Sequence, residues 1–522
     1  MTNWSVNCAN IWTGDPLRPW RRGMTIRDGR IVSLDEGSAP SSGHSAFTGS
    51  WILPGLIDAH AHLLMGGLTL QRLDLSAARS RDDFDRLIDA HCTTLTADQW
   101  LEAFGWNEHN WNGARPDHSW LRAAGARPAV AWRCDQHAAL VNESAMGALD
   151  LRTDVAGGTI VREVHGAPTG LLLEQAAWQL LAPRIPQPSL TSRARACSEA
   201  CNHLLSVGVT TVGAMEYLDQ IEQVLVPARD AGRLTVRVAA TVLDRVRPLP
   251  FARARAIRGD DFLRIIGFKS FADGTLGSST AAMFDRYCDS DSRGSLMEHA
   301  LEGTLTEWMR EVLEANYSPS VHAIGDRALN EVLQAAVACD LMKRVRFEHA
   351  QTVHPDSIAR FRNRLVSMQP FHKAGDAPLA RTRLGTHRDN RCFQFRSFLT
   401  AGARLAFGSD WPIASADPLE GMRVAITGLA LDGKVYGASA NLTAHEAITA
   451  YTQGAAECLD DSSGAGTLAI GSPADFIVVD RNPLACDWMD EAPQVLTTVV
   501  GGIVRYDATD TAGNHDTTAA TA

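Results

Sequence analysis

Eight short apolar segments, each followed by a stretch of helical patterning, constrain this 522-residue chain more than any other feature. They lie at 53–62, 209–215, 234–242, 263–271, 318–323, 344–349, 364–369 and 404–410, with helix-like stretches such as 305–315 and 328–338 between them. Strands alternating with helices are the pattern of parallel βα units, and eight such units close into a barrel. The expected fold class is therefore α/β, a TIM-type (β/α)8 barrel spanning 51–464, with its working residues at the C-terminal ends of the strands. The gap between the first two segments is far longer than a βα loop needs, so an inserted subdomain is expected over 64–200.

The chain ends read differently. Short strand-like runs within the first fifty residues are separated by Gly, Asp and Pro, and ADFIVVD at 474–480 and the run at 495–505 echo them. Residues 1–50 and 465–507 are expected to combine in one small β-sandwich domain. The Thr-, Ala- and Asp-rich tail at 508–522 reads as disordered. No internal repeat of the solenoid kind is visible.

Composition excludes several classes. A net charge of −11 argues against nucleic-acid binding. No window reaches the 18 apolar residues of a membrane helix, and the start shows no cationic-then-apolar signal. The ten cysteines show no CxxC pairing or regular spacing, so neither a disulfide frame nor a zinc-thiolate site is indicated. A cytoplasmic protein acting on a small molecule, with no membrane or nucleic-acid partner, is the expectation.

Chemistry gathers at the strand ends. The first strand closes with Asp58-Ala59-His60-Ala61-His62; side chains two apart share a face, so both imidazoles can address one metal ion. With 17 histidines in 522 residues, roughly every second such chain would hold an HxH pair by chance, so the pair alone says little. Its companions say more. Lys269 interrupts an apolar strand (GFKSF), where a buried charge is costly. His322 ends PSVH, His349 ends RFEH, and Asp410 follows AFGS. Five strands delivering His, Lys and Asp to one rim are hard to explain by packing.

The order HxH, Lys, His, His, Asp on strands one, four, five, six and eight resembles the amidohydrolase superfamily. The surrounding words FKSFADGTLGSSTA, HAIGDRA, FEHAQ and FGSDWP resemble its YtcJ-like branch, which includes N-substituted formamide deformylases. So do LPGLIDAHAH near the start, GSPADFIVVDRNP near the end, and GWNEHNW, RCDQHAALVN and GAPTGLLLEQA between the first two strands. The resemblance implies a metal-dependent hydrolase cleaving a C–N bond (amide, formamide, carbamate or cyclic amide) of a small molecule with metal-bound hydroxide. It implies two divalent ions, with zinc favoured by imidazole ligands and manganese, iron or cobalt as alternatives. His60 and His62 would hold one ion, His322 and His349 the other, and an N6-carboxylated Lys269 would bridge them. Asp410 would ligate the first ion and act as general base. A homodimer is the habit of the superfamily.

Substrate contacts are sought at His137, which follows Asp135-Gln136, and at Trp106 and Glu174, with Trp111 beside them. Asp273, after the lysine strand, and His372, after the seventh strand, join that set; a loop-turn role is the other account of Asp273. Asp326 and Arg327 are expected to pair beside the His322 loop. Three rivals remain. A mononuclear deaminase would typically carry Glu where Gly325 stands; a phosphotriesterase- or esterase-type hydrolase would share the ligands; a non-catalytic scaffold would have no use for them.

Overall fold

The computed structural model describes residues 3–35, 50–96, 99–111, 114–134, 138–155, 158–174, 176–277, 279–339 and 344–509. The chain divides into two compact units, one made of Met1–Gly67 with Cys197–Ala522 and the other of Leu68–Ala196.

In the first unit, eight parallel strands follow one another in chain order: β1 (Leu56–Ala61), β2 (Val209–Glu216), β3 (Arg237–Val242), β4 (Leu263–Phe271), β5 (Ser318–Ala323), β6 (Arg346–His349), β7 (Leu365–Met368) and β8 (Arg404–Phe407). Every residue of β1, β2, β3, β5, β6 and β7 is buried, which is why these segments read as continuous apolar runs. The sheet is nearly closed. Just past the strands, Asp410 N donates to His60 O (2.7 Å) and His62 N donates to Trp411 O (2.8 Å), joining the rim of β8 to that of β1. Gly408 permits this approach, because a Cβ there would lie 2.5 Å from the His60 nitrogen.

Helices pack outside by their apolar faces. Leu305–Glu314 buries Leu305, Trp308, Met309 and Val312, at the i, i+3, i+4, i+7 spacing of one helical stripe. No described helix is long and apolar enough to cross a membrane.

Both chain ends enter one seven-stranded sheet. Its order is Ile503–Asp507, Val495–Val500, Phe476–Val479, Trp51–Pro54, Asn3–Trp12, Trp20–Arg27, Arg30–Asp35. The described strands of both chain ends are hydrogen-bonded into this one sheet. Trp51–Pro54 is the reason: it pairs antiparallel with Phe476–Val479 and parallel with Asn3–Trp12, stitching the two sets edge to edge. The tail expected to be disordered lies outside the described residues beyond Thr509.

The second unit holds a six-stranded mixed sheet and the helix Arg81–Cys92, started by the Ser80 side chain accepting from Asp83 N. Its core is apolar, with Phe84, Leu101, Trp106 and Leu121 all buried.

Candidate metal centre at the barrel mouth

On β1, Asp58 and His60 share a face. The Asp58 carboxylate accepts from His60 N and Ser409 N (both 3.0 Å) and from Ser409 Oγ, pinning the rims of β1 and β8 together. His60 Nε2 lies 3.4 Å from Asp410 Oδ1 and His62 Nε2 lies 3.3 Å from the same oxygen. Lys269 Nζ, from β4, is 3.4 Å from His60 Nε2. His349 closes the group, its ring centroid 4.9 Å from that of His60 and 4.4 Å from that of His322. Ligand atoms of His60, His349 and Asp410 all fall within 4.8 Å of one another.

Backbone shape helps bring them together. Consecutive strand residues point to opposite faces, yet Glu348 and His349 both reach this cluster. His349 has φ +68° and Ala350 φ +44°, so the chain leaves the pleat at that point; Asp410 has φ +60°. Left-handed backbone at non-glycine residues costs about 1–3 kcal/mol each, and it clusters where side chains must be aimed.

Burial sets the charges. It lowers the pKa of His60 to about 4 and of His322 to about 3, and holds His349 well below its ordinary value, so these imidazoles are neutral with lone pairs to offer. Burial also lowers Lys269 to about 8, against the pull of Glu348 and Asp410. For Asp410 burial works upward, but His60, His62 and His349 outweigh it and keep the carboxylate ionised well below the usual range.

The outer nitrogens are occupied, which decides which inner ones are free. His60 Nδ1 meets Glu348 Oε2 (2.6 Å), His349 Nδ1 meets Gln369 Oε1 (2.7 Å), and His322 Nε2 meets the Gly274 carbonyl (3.0 Å). That leaves Nε2 of His60, Nε2 of His349 and Nδ1 of His322 as lone-pair donors. His372 stacks on His349 (6.1 Å, 8° between planes); its Nε2 is buried without a hydrogen-bond partner, 3.8 Å from Asp410 Oδ2. A donor set of imidazole nitrogens and one carboxylate oxygen, with an orphaned polar nitrogen beside it, fits a divalent cation such as zinc.

Other expected site residues are placed elsewhere. Trp106 sits in the apolar core of the second unit, its indole N–H donating to Ala131 O (2.8 Å), so it is a packing residue and not a substrate wall. Trp111 stacks on it in the same cluster. Asp273 is fully buried; Oδ1 accepts from Ile324 N (3.0 Å) and Oδ2 from Gly325 N (2.7 Å) and Ala282 N (2.8 Å). Through these backbone bonds it braces the loop after β5, and its Oδ1 also lies 3.6 Å from His322 Nε2. Asp326 pairs with Arg391 (3.5 Å) in place of Arg327. His137 and Gln136 lie outside the described residues, and of Glu174 only the backbone, at the end of the strand Pro168–Glu174, is described.

Three residues that the sequence did not single out support the centre: Glu348, Gln369 and Glu216. Glu216 ends β2, and its Oε1 accepts from Leu64 N (2.8 Å) in the helix Leu63–Leu70 that follows His62; burial raises it to about 7. Its only sequence signal is an acid closing an apolar strand, as Lys269 interrupts one.

A family model described as the amidohydrolase family matches residues 48–506. The chain belongs to the amidohydrolase family. Among curated relatives, LONG AFTER FAR-RED 3 of Arabidopsis thaliana is 30% identical over 96% of this chain and 91% of its own length. The putative amidohydrolase YtcJ of Bacillus subtilis is 30% identical over 90% and 91%. An N-substituted formamide deformylase of Arthrobacter pascens is 25% identical over 96% and 98%. The solved structure of an uncharacterized metal-dependent hydrolase from Pyrococcus horikoshii shares the fold, with a TM-score of 0.78, 24% identity and coverage of 93% and 99%. Membership of this hydrolase family supports an enzymatic role, although the Arabidopsis relative does not carry an enzyme's name.

Proposed function

We propose that this amidohydrolase-family chain is a metal-dependent hydrolase of a C–N bond in a small molecule: an amide, formamide, carbamate or cyclic amide. The observation that carries the proposal is the convergence of buried, neutral histidines with Asp410 and Lys269 at the ends of the barrel strands. In this proposal His60, His62 and Asp410 hold one divalent ion and His322 with His349 the other, with zinc preferred. Lys269, whose burial favours the neutral amine that carboxylation by carbon dioxide requires, would in its N6-carboxylated form be a further ligand to the ions. Bound ions supply Lewis acidity, which lowers the pKa of water toward neutrality and polarises a carbonyl.

The residues of the chain then divide the proton work. Asp410, ionised and at the centre, accepts a proton from the attacking water as the new C–O bond forms. It returns that proton to the departing amine as the C–N bond breaks. His372, beside Asp410 Oδ2, faces the same space. The formamide deformylase among the relatives favours an N-formyl or N-acyl amine. A one-metal deaminase is the second reading, and Gly325 at the position where such enzymes typically carry Glu counts against it. All ten cysteines are free, in keeping with a cytoplasmic location; a homodimer belongs to the same proposal.

Metal analysis and a panel of N-formyl and N-acyl amines test it together. About two ions per chain and turnover that disappears with a chelator are expected. One ion per chain would point to the deaminase mode, no bound metal to a scaffold, and activity confined to esters or phosphotriesters to another reaction class.

A further inference from the structure

We propose that Glu348 is a positioning residue which orients His60 toward a divalent cation, a role that rests on the metal-hydrolase reading above. Glu348 sits on β6, directly before His349, and is completely buried. Its two oxygens serve three partners: Oε2 lies 2.6 Å from His60 Nδ1, and Oε1 lies 2.6 Å from Ser320 Oγ on β5 and 2.9 Å from Arg346 Nε. Arg346 is itself buried, and its Nη2 donates to the carbonyl of Ala59 (2.8 Å), the residue before His60. One carboxylate therefore ties β5 and β6 to both the ring and the backbone of the first histidine.

Packing alone does not call for this arrangement. A buried ion pair pays a desolvation cost that well-packed apolar residues of similar volume avoid, so stability is a weak reason for it. Its specific effect is on His60. A neutral imidazole carries a single N–H. With the carboxylate at Nδ1, that hydrogen is held on Nδ1 and the Nε2 lone pair is turned to Asp410 Oδ1 and Lys269 Nζ, both at 3.4 Å. The opposite tautomer would set the Nδ1 lone pair against Glu348 Oε2 at 2.6 Å, a closer anion than Asp410 Oδ1 at 3.4 Å on the Nε2 side. The other outer partners are weaker acceptors: an amide oxygen for His349 and a peptide carbonyl for His322. Of these three rings, only His60 has a carboxylate oxygen at hydrogen-bond distance of its outer nitrogen, 2.6 Å against 3.6 Å from His322 Nε2 to Asp273 Oδ1, which raises its strength as a donor. The two cation positions are thereby made unequal, the one at His60 and His62 being the tighter.

Zinc alone is the probe, titrated into chelator-treated full-length protein against a coloured competitor. The parent is expected to take up two ions per chain. Glu348→Gln should weaken one of them by roughly 10- to 100-fold and leave the other unchanged. Because Arg346 is then left unpaired, the double variant Arg346→Met/Glu348→Gln removes both charges and should show the same selective loss. In a His60→Ala background, adding Glu348→Gln should change zinc affinity little further. Unaltered zinc affinity in both Glu348 variants, or an equal loss with and without His60, would overturn the positioning role while the metal reading stands. A parent that binds no zinc would overturn the metal reading and this proposal with it.

Discussion

The barrel mouth of the first unit and the core of the second are equally well buried, and they bury opposite kinds of residue. At the mouth, His60, Lys269 and Glu348 are at most 1% exposed. In the second unit the same depth is filled by Phe84, Leu101, Trp106 and Leu121. Apolar burial stabilises by itself, at about 25 cal/mol per Å² removed from water, and needs no further explanation. Burying a lysine, a glutamate and several histidines costs free energy unless each is hydrogen-bonded, paired or bound to something, so such a cluster persists for what it does. Trp106 in the inserted segment suggests a substrate wall by sequence; its depth shows that it packs the core of its own unit.

Substitutions can break this contrast or sharpen it. The largest effect belongs to the mouth: Asp410→Asn should reduce turnover of an N-acyl or N-formyl amine by about 10²- to 10⁴-fold with an unchanged melting temperature. Activity near the parent level would remove Asp410 as the proton carrier. Trp106→Ala should do the reverse, costing about 3–5 kcal/mol of stability in the second unit. A raised KM with unchanged unfolding would return Trp106 to the substrate wall.

Glu216 offers a pH test of buried polarity. Its folded pKa is about 7 against an ordinary 4.5, so the folded chain holds a proton that the unfolded chain releases. Its contribution to stability is therefore full below about pH 4.5 and is lost as pH rises through 7, a change of about 3 kcal/mol at most. Urea unfolding of metal-free protein between pH 4.5 and 8 should show that loss as a difference between the parent and Glu216→Gln, because Asp273 is also raised to about 7. An equally steep profile in the variant would mean that Glu216 is ionised in the folded chain. Smallest of all, Ser80→Ala removes the cap of Arg81–Cys92 and should cost about 1 kcal/mol, seen as faster amide exchange in that helix with zinc binding unaffected.

The eight barrel strands and the polar residues closing them were determined by the sequence itself. A short apolar run is a local pattern, and a histidine or aspartate where it stops is visible without knowing any neighbour. Which side chains meet was decided only in three dimensions. Glu348 and His60 are 288 residues apart and are joined by the register of β6 across the barrel from β1, which the period-two alternation of a strand does not encode. The left-handed backbone at His349, the backbone grip of Asp273 on the loop after β5, the burial of Trp106 and the single sheet built from both chain ends are likewise tertiary outcomes. Pattern says which face a residue takes, whereas partnership depends on how distant strands are staggered when the sheet curls toward closure.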